Sequence, residues 1–274
     1  MRLAVFIILI IELFGSTLKA QSLGDTFEFA NTLFKNESYE NALEAYRRTL
    51  FFDQYNEYGP RVFKNMADCL YKKAEYEEAA YYYDLAYFVH SGNEQNSITL
   101  QKASSHLLLG DYNKAKVELF NLPDTLSLQH QELATFYSAM ITFSQGEYQK
   151  SKALFKEVSP DTSVVNELFI KNAKIDKLKP KTAKILSIII PGLGQFYAGD
   201  VKNGLNSFIL SGGLMFLGVR SAINNSVLDA ALSIMPWYQR YYTGGYNKAE
   251  AIAEAKIKER RFKVFNELLE VVED

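Results

Sequence analysis

An internal repeat constrains this chain more than any other feature. Tyr39, Tyr76, Tyr112 and Tyr148 recur at steps of 37, 36 and 36 residues. Three residues after each Tyr is a small side chain, Ala42, Ala79, Ala115 or Ser151. Four further on is a large one, Tyr46, Tyr83, Leu119 or Phe155, and three beyond that Thr49, Ala86, Leu122 or Val158. These offsets share one face of an α-helix. Nine residues before each Tyr stands an alanine, Ala30, Ala67, Ala103 or Ala139, within a second helical stretch, and Gly110 and Gly146 fall near the turn in the last two units. Each unit therefore reads as two helices packed through small residues. A lone unit of this kind cannot bury its apolar face, so the units must stack.

A small residue in the first helix, a turn, then Tyr, Ala and an aromatic at set spacings resemble the tetratricopeptide repeat. Four units, 23–56, 60–93, 96–129 and 132–165, cover about half of the chain. Their period of 36–37 residues runs slightly over the family's roughly 34. The Trp often seen early in the unit is absent and the closing Pro is not in place, which points to looser turns. The family binds peptides and proteins and catalyses nothing by itself. The resemblance thus implies a non-enzymatic binding surface with a protein or peptide partner and no cofactor.

In stacked hairpins the first helix of each unit lines the concave side. Counting from Ala30 and Ala67 places Phe27, Asn31, Phe34 and Lys35, then Lys64, Asp68, Tyr71 and Lys72, in a charged and aromatic half of the groove. Counting from Ala103 and Ala139 places Leu100, Ser104, Leu107 and Leu108, then Phe136, Met140 and Phe143, in an apolar half. An exposed apolar groove calls for an occupant, either a partner's amphipathic helix or a segment of this chain. The candidate external contacts are Asn31, Lys35, Lys64, Asp68, Tyr71 and Lys72.

The ends of the chain bear on where it works. Arg2 precedes an apolar run from Leu3 to Phe14 broken only by Glu12, followed by Gly15, Ser16, Thr17 and Ala20-Gln21. One basic residue, a short apolar core and a small-residue exit read residues 1–20 as a secretory signal peptide, with an uncleaved anchor as the alternative. Cys69, the single cysteine, cannot form an internal disulfide, and an exported chain without disulfides fits a bacterial envelope.

After residue 165 the composition changes. Residues 166–184 are rich in lysine, with Lys171, Lys174, Lys177, Lys179, Lys181 and Lys184 against Asp176, and read as a solvated linker helix or as a patch for anionic lipid. Residues 185–245 hold apolar stretches at 185–190, 204–219 and 227–237, none reaching the roughly 20 residues of a clean membrane span. Ser207 and Ser211 with Gly212-Gly213 suggest close helix packing, and Trp237, Tyr238, Tyr241 and Tyr242 an interfacial aromatic belt. Residues 246–274 read as a C-terminal amphipathic helix, docked on its own protein, on a membrane surface or on a partner.

The string Pro191-Gly192-Leu193-Gly194-Gln195-Phe196-Tyr197, with Gly199 and Gly204 following, resembles a motif of small bacterial membrane domains often joined to tetratricopeptide repeats in envelope proteins. The resemblance implies membrane residence and no known reaction. Pro191 ends a helix, Gly192, Gly194 and Gly199 permit a tight loop, and Gln195 and Tyr197 can satisfy backbone groups freed there. Lysines and arginines flank the apolar region on both sides, so the positive-inside rule sets both flanks in the cytoplasm, whereas a signal peptide sets the repeats outside.

Catalytic and metal-binding patterns are missing. His90, His106 and His130 are scattered, and the Gly192-x-Gly194 loop follows no strand. A net charge of −2 leaves no nucleic-acid footprint. The expected architecture is all-α: a four-repeat helical solenoid, a membrane-associated domain of short helices and a final helix. Two functions compete. One is an exported scaffold that binds a protein through its repeats while held at a periplasmic membrane. The other is an integral-membrane accessory factor for transport or envelope assembly, acting through residues 185–245.

Overall fold

The computed structural model describes residues 22–273, and every regular element among them is an α-helix. The segment read as a signal peptide lies outside the described residues. The chain divides into two compact units between Leu154 and Phe155.

The first unit is built of helices in repeat-like hairpins: α1 (Leu23–Lys35) and α2 (Tyr39–Phe52), α3 (Gly59–Lys72) and α4 (Tyr76–Tyr87), α5 (Gly92–Leu108) and α6 (Tyr112–Phe120), then α7 (Leu128–Ser144) and the start of α8 (Tyr148–Val158). The repeating Tyr is the first residue of each second helix. All four turns before it have the same geometry. Ser38, Glu75, Asp111 and Glu147 donate their N–H to the carbonyls of Leu33, Leu70, His106 and Thr142, at 2.8–2.9 Å. The residue just before each donor is left-handed: Glu37, Ala74, Gly110 and Gly146, with φ of 58°, 61°, 74° and 81°. This is the Schellman termination of a helix. Glycine announces it at two turns only; at the others a Glu and an Ala carry the conformation.

Packing follows the repeat. Ala30, Ala67, Ala103 and Ala139 and their opposite numbers Ala42, Ala79, Ala115 and Ser151 are all fully buried, which lets paired helices approach closely. Ser151 donates its hydroxyl to the Ala139 carbonyl at 2.9 Å. Each turn Tyr packs on the first helix, edge-on to Phe34, Tyr71 and Phe143 at 5.3–5.5 Å in three hairpins and beside Leu107 in the fourth. Helix α2 packs on α3, α4 on α5 and α6 on α7, so each hairpin packs on the next.

The expected apolar half of the groove is not open. Leu100, Leu107 and Phe143 are buried, as is Phe27, while Leu108 alone of that set stands well exposed. Positions three before and four after a buried Ala lie on its own helical face, so they point inward with it.

The second unit holds α9 (Thr162–Ile175), α10 (Pro180–Ile189), α11 (Leu193–Tyr197), α12 (Val201–Asn224), α13 (Val227–Ser233) and α14 (Met235–Glu273). The lysine-rich segment is helical, and its helices α9 and α10 pack along α14. Ala249, Ala253, Val264 and Leu268 form the buried face of α14, with Leu178, Ala183 and Ala198 packed near its first half. Lys171 pairs with Glu267 at 2.6 Å, Lys184 with Glu250 at 2.8 Å and Arg261 with Asp176. The final helix thus spends its apolar face within this unit.

Two boundaries differ from the sequence reading. Helix α12 runs 24 residues, because Asp200 caps it by accepting the Asn203 N–H at 3.0 Å and the helix continues past Arg220. By length and composition it is long and apolar enough to cross a membrane, and only 6% of its most apolar 18-residue window is buried. Helix α14 begins at Met235, so the aromatic cluster and Gly244-Gly245 lie inside it. An interior Gly costs a helix roughly 1 kcal/mol, which tertiary packing readily offsets. Helices α12 and α14 pack antiparallel, bridged by α13: a Cβ on Gly245 would stand 2.6 Å from Ser207 Oγ, and one on Gly218 3.6 Å from Ile234. Gly212 and Gly213 face open space instead of a neighbouring helix.

Candidate functional site

The groove candidates sit on α1 and α3, where they join a ladder of hydrogen bonds between first helices. Tyr46 crosses from α2 to donate its hydroxyl to Asn31 Oδ1 at 2.7 Å, and Asn65 Nδ2 reaches the same oxygen at 3.2 Å. One unit later Tyr83 donates to Asp68 Oδ1 at 2.7 Å, while Lys64 Nζ holds Oδ2 at 2.8 Å. Tyr71 and the Ser104 hydroxyl share a 2.7 Å bond. Burial, then the Asp68 carboxylate, pushes the Tyr83 phenol well above its ordinary range, so it remains a donor.

Asn31, Asp68 and Ser104 are equivalent repeat positions, one residue after the buried Ala. Where the second helix supplies a Tyr, the partner is Asn or Asp; where it supplies Leu119 or Phe155, the position is Ser104 or Met140. That covariation within one chain is the signal by which the ladder can be found. Asn65 has no such signal. Asn31, Asp68 and Tyr71 are occupied by internal bonds, and Lys64 is paired and about three-quarters buried. Lys35 and Lys72 are exposed and available to a partner.

The glycine-rich motif forms the joint between α10, α11, α12 and α14. Ile190 and Pro191 end α10, and Gly192 is left-handed at φ 91°. A Cβ there would stand 2.2 Å from the Gly204 carbonyl oxygen, and one on Gly194 1.8 Å from that of Ala183. Only glycine fits at either place. Gln195 is fully buried, accepting from Ser187 Oγ at 2.8 Å and donating to the Gly245 carbonyl at 2.9 Å. Ser187 Oγ also accepts the Gly194 N–H at 2.9 Å. Tyr197 Oη accepts from the Lys179 N–H and donates to the Lys177 carbonyl at 3.0 Å, tying the α9–α10 turn. Gly199 takes a left-handed φ of 80° at the end of α11. Ser187 was not singled out in the sequence, where it is one more small residue in an apolar helix.

Among the described residues no group of His, Cys, Asp and Glu could hold a metal ion. Cys69 is buried, and burial pushes its thiol up to about 12. His106 is buried in the first unit with its pKa pushed down by burial. Comparison of the chain with protein-family models, with curated proteins and with solved structures finds no match.

Proposed function

We propose that this chain is a non-enzymatic scaffold of a bacterial envelope, exported by its N-terminal segment. In this reading its tetratricopeptide-like repeats hold a protein or peptide, and the α12–α14 hairpin anchors it in a membrane. The observation that carries the proposal is the long apolar helix α12, little of which is buried. The second unit leaves Phe208, Ile209, Met215, Phe216, Leu228 and Leu232 exposed on α12 and α13. An apolar surface of that extent marks a lipid or protein contact. Helix α12 spans about 36 Å at 1.5 Å per residue, enough for a hydrocarbon core of about 30 Å. The chain returns beside it through α13 and the start of α14.

The test is fractionation of the full chain followed by alkaline carbonate extraction, with capture of partners from the solubilised envelope by wild type and by Lys35→Glu/Lys72→Glu. Retention after carbonate, with loss of a specific captured protein in the double variant, is expected. Full release by carbonate removes the anchor. Unchanged capture removes the first helices as the binding face.

A further inference from the structure

The α12–α14 hairpin contains a cleft of about 300 Å3 with polar and basic side chains in its lining, where an anchor should be apolar. Asn203, Asn206, Ser207 and Ser211 of α12 line one wall, and Arg240 and Lys248 of α14 the other. Since Gly245 stands opposite Ser207 and Ile234 opposite Gly218, Arg240 lies level with the middle of α12. A cation at that depth is costly unless it meets an anion or reaches water.

Arg240 has no acidic side chain at ion-pair distance among the described residues. Helix α12 has no acidic residue and α14 none before Glu250, which is already paired with Lys184. Asp200, at the head of α12, has both oxygens engaged by Asn203, and of the two cations only Lys248 is close enough to help lower its pKa. Arg240 and Lys248 form no ion pair among the described residues. Ser211 is only 1% exposed, yet its hydroxyl has no hydrogen-bond partner, and the buried Ser207 hydroxyl has none either. A Ser in a helix can bond its own backbone one turn back. These two stand unpaired beside the cleft that their residues line.

We propose that the cleft binds a phosphate-bearing anion, with Arg240 and Lys248 supplying charge and Ser207 and Ser211 supplying hydrogen bonds. A guanidinium pairs with phosphate oxygens through two parallel N–H bonds, and the two hydroxyls and two amides complete a shell of neutral donors. The exposed apolar flank of α12 beside the cleft, with Leu205, Phe208 and Ile209, suits acyl chains, so the ligand is a phospholipid headgroup. The site rests on the membrane reading of the hairpin.

Trp237, the single tryptophan, lies one helical turn from Tyr241 of the cleft and reports on it. The experiment is a fluorescence titration of the full chain in neutral detergent with phosphatidylglycerol, phosphatidylcholine and inorganic phosphate as separate probes. Saturable binding of phosphatidylglycerol is expected, with none for phosphatidylcholine. Arg240→Gln/Lys248→Gln should weaken it roughly tenfold or more, the loss of one to two charge-assisted contacts. Ser207→Ala/Ser211→Ala, which barely perturbs packing, should weaken it several-fold, and Arg220→Gln should leave it unchanged. Displacement by millimolar inorganic phosphate would support the anion site and make a soluble phosphate compound its ligand; resistance to displacement assigns the lipid. Equal response to the two lipids, or wild-type affinity in both double variants, overturns the site. Carbonate extraction of the same variants separates this outcome from failure of the anchor: retained protein without selectivity sinks the site alone, and released protein sinks both.

Discussion

The four hairpin turns set a residue-scale experiment inside one molecule. Glu37 and Ala74 hold left-handed backbone that costs an L-residue roughly 1–2 kcal/mol, whereas Gly110 and Gly146 hold it freely. Glycine gives back about 0.5–1 kcal/mol through its more flexible unfolded chain. Glu37→Gly and Ala74→Gly should therefore each stabilise the fold by about 0.5–1 kcal/mol, read as a raised denaturation midpoint. Gly110→Ala and Gly146→Ala should each destabilise it by about 1 kcal/mol. A Cβ at either glycine meets nothing within 4 Å, so a loss there is conformational and not steric. His106 sets a second test. It is 7% exposed, and burial holds its pKa below the ordinary 6.5. Above 6.5 both folded and unfolded forms are neutral. As pH falls through 6.5 the unfolded chain protonates first, so stability drops until the folded pKa is passed. His106→Gln should flatten that slope between pH 7 and 5 in denaturation curves.

At the scale of elements, the close approach of paired helices rests on residues that have no bulk. Ala79 is fully buried between α3 and α4. Ala79→Leu is expected to cost on the order of 1–3 kcal/mol through overpacking, and an unchanged melting temperature would refute the pairing described. Gly194 makes the same point at the glycine-rich joint, where the Ala183 carbonyl and the Ser187 hydroxyl leave no room for a Cβ. Gly194→Ala should pry α11 from α10, release Gln195 from the Gly245 carbonyl and expose the 190–200 segment to limited proteolysis. The hairpins were legible in the sequence because a period of 36–37 residues repeats the same small and large positions four times. Their turns were only half legible, since Glu37 and Ala74 carry no glycine signal.

For the whole molecule, the proposed membrane anchoring of the α12–α14 hairpin would put both flanks of the apolar region on the same side. The lysines of α10 and the basic residues of α14 from Lys248 onward would then share one compartment, and Asn225 at the tip would lie across the bilayer. In a Cys69→Ser background, single cysteines at Lys181 and Lys258 should react with an impermeant maleimide from one side, and one at Asn225 only from the other. Labelling of all three from one side would mean that the hairpin lies along the membrane surface.

The sequence by itself determined the all-helical class, the period, the small residues at the helix contacts and the position of the glycine joint. Those properties are local: helical periodicity and steric size act over a few residues, and repetition makes them stand out. Only the tertiary structure decided that Leu100 and Leu107 are core and not groove, that Tyr46 and Tyr83 bind across to Asn31 and Asp68, and that Arg240 faces Ser207 and Ser211. Each of these depends on which residues of distant helices meet, and that is set by crossing and register between helices, which no single stretch of the chain encodes.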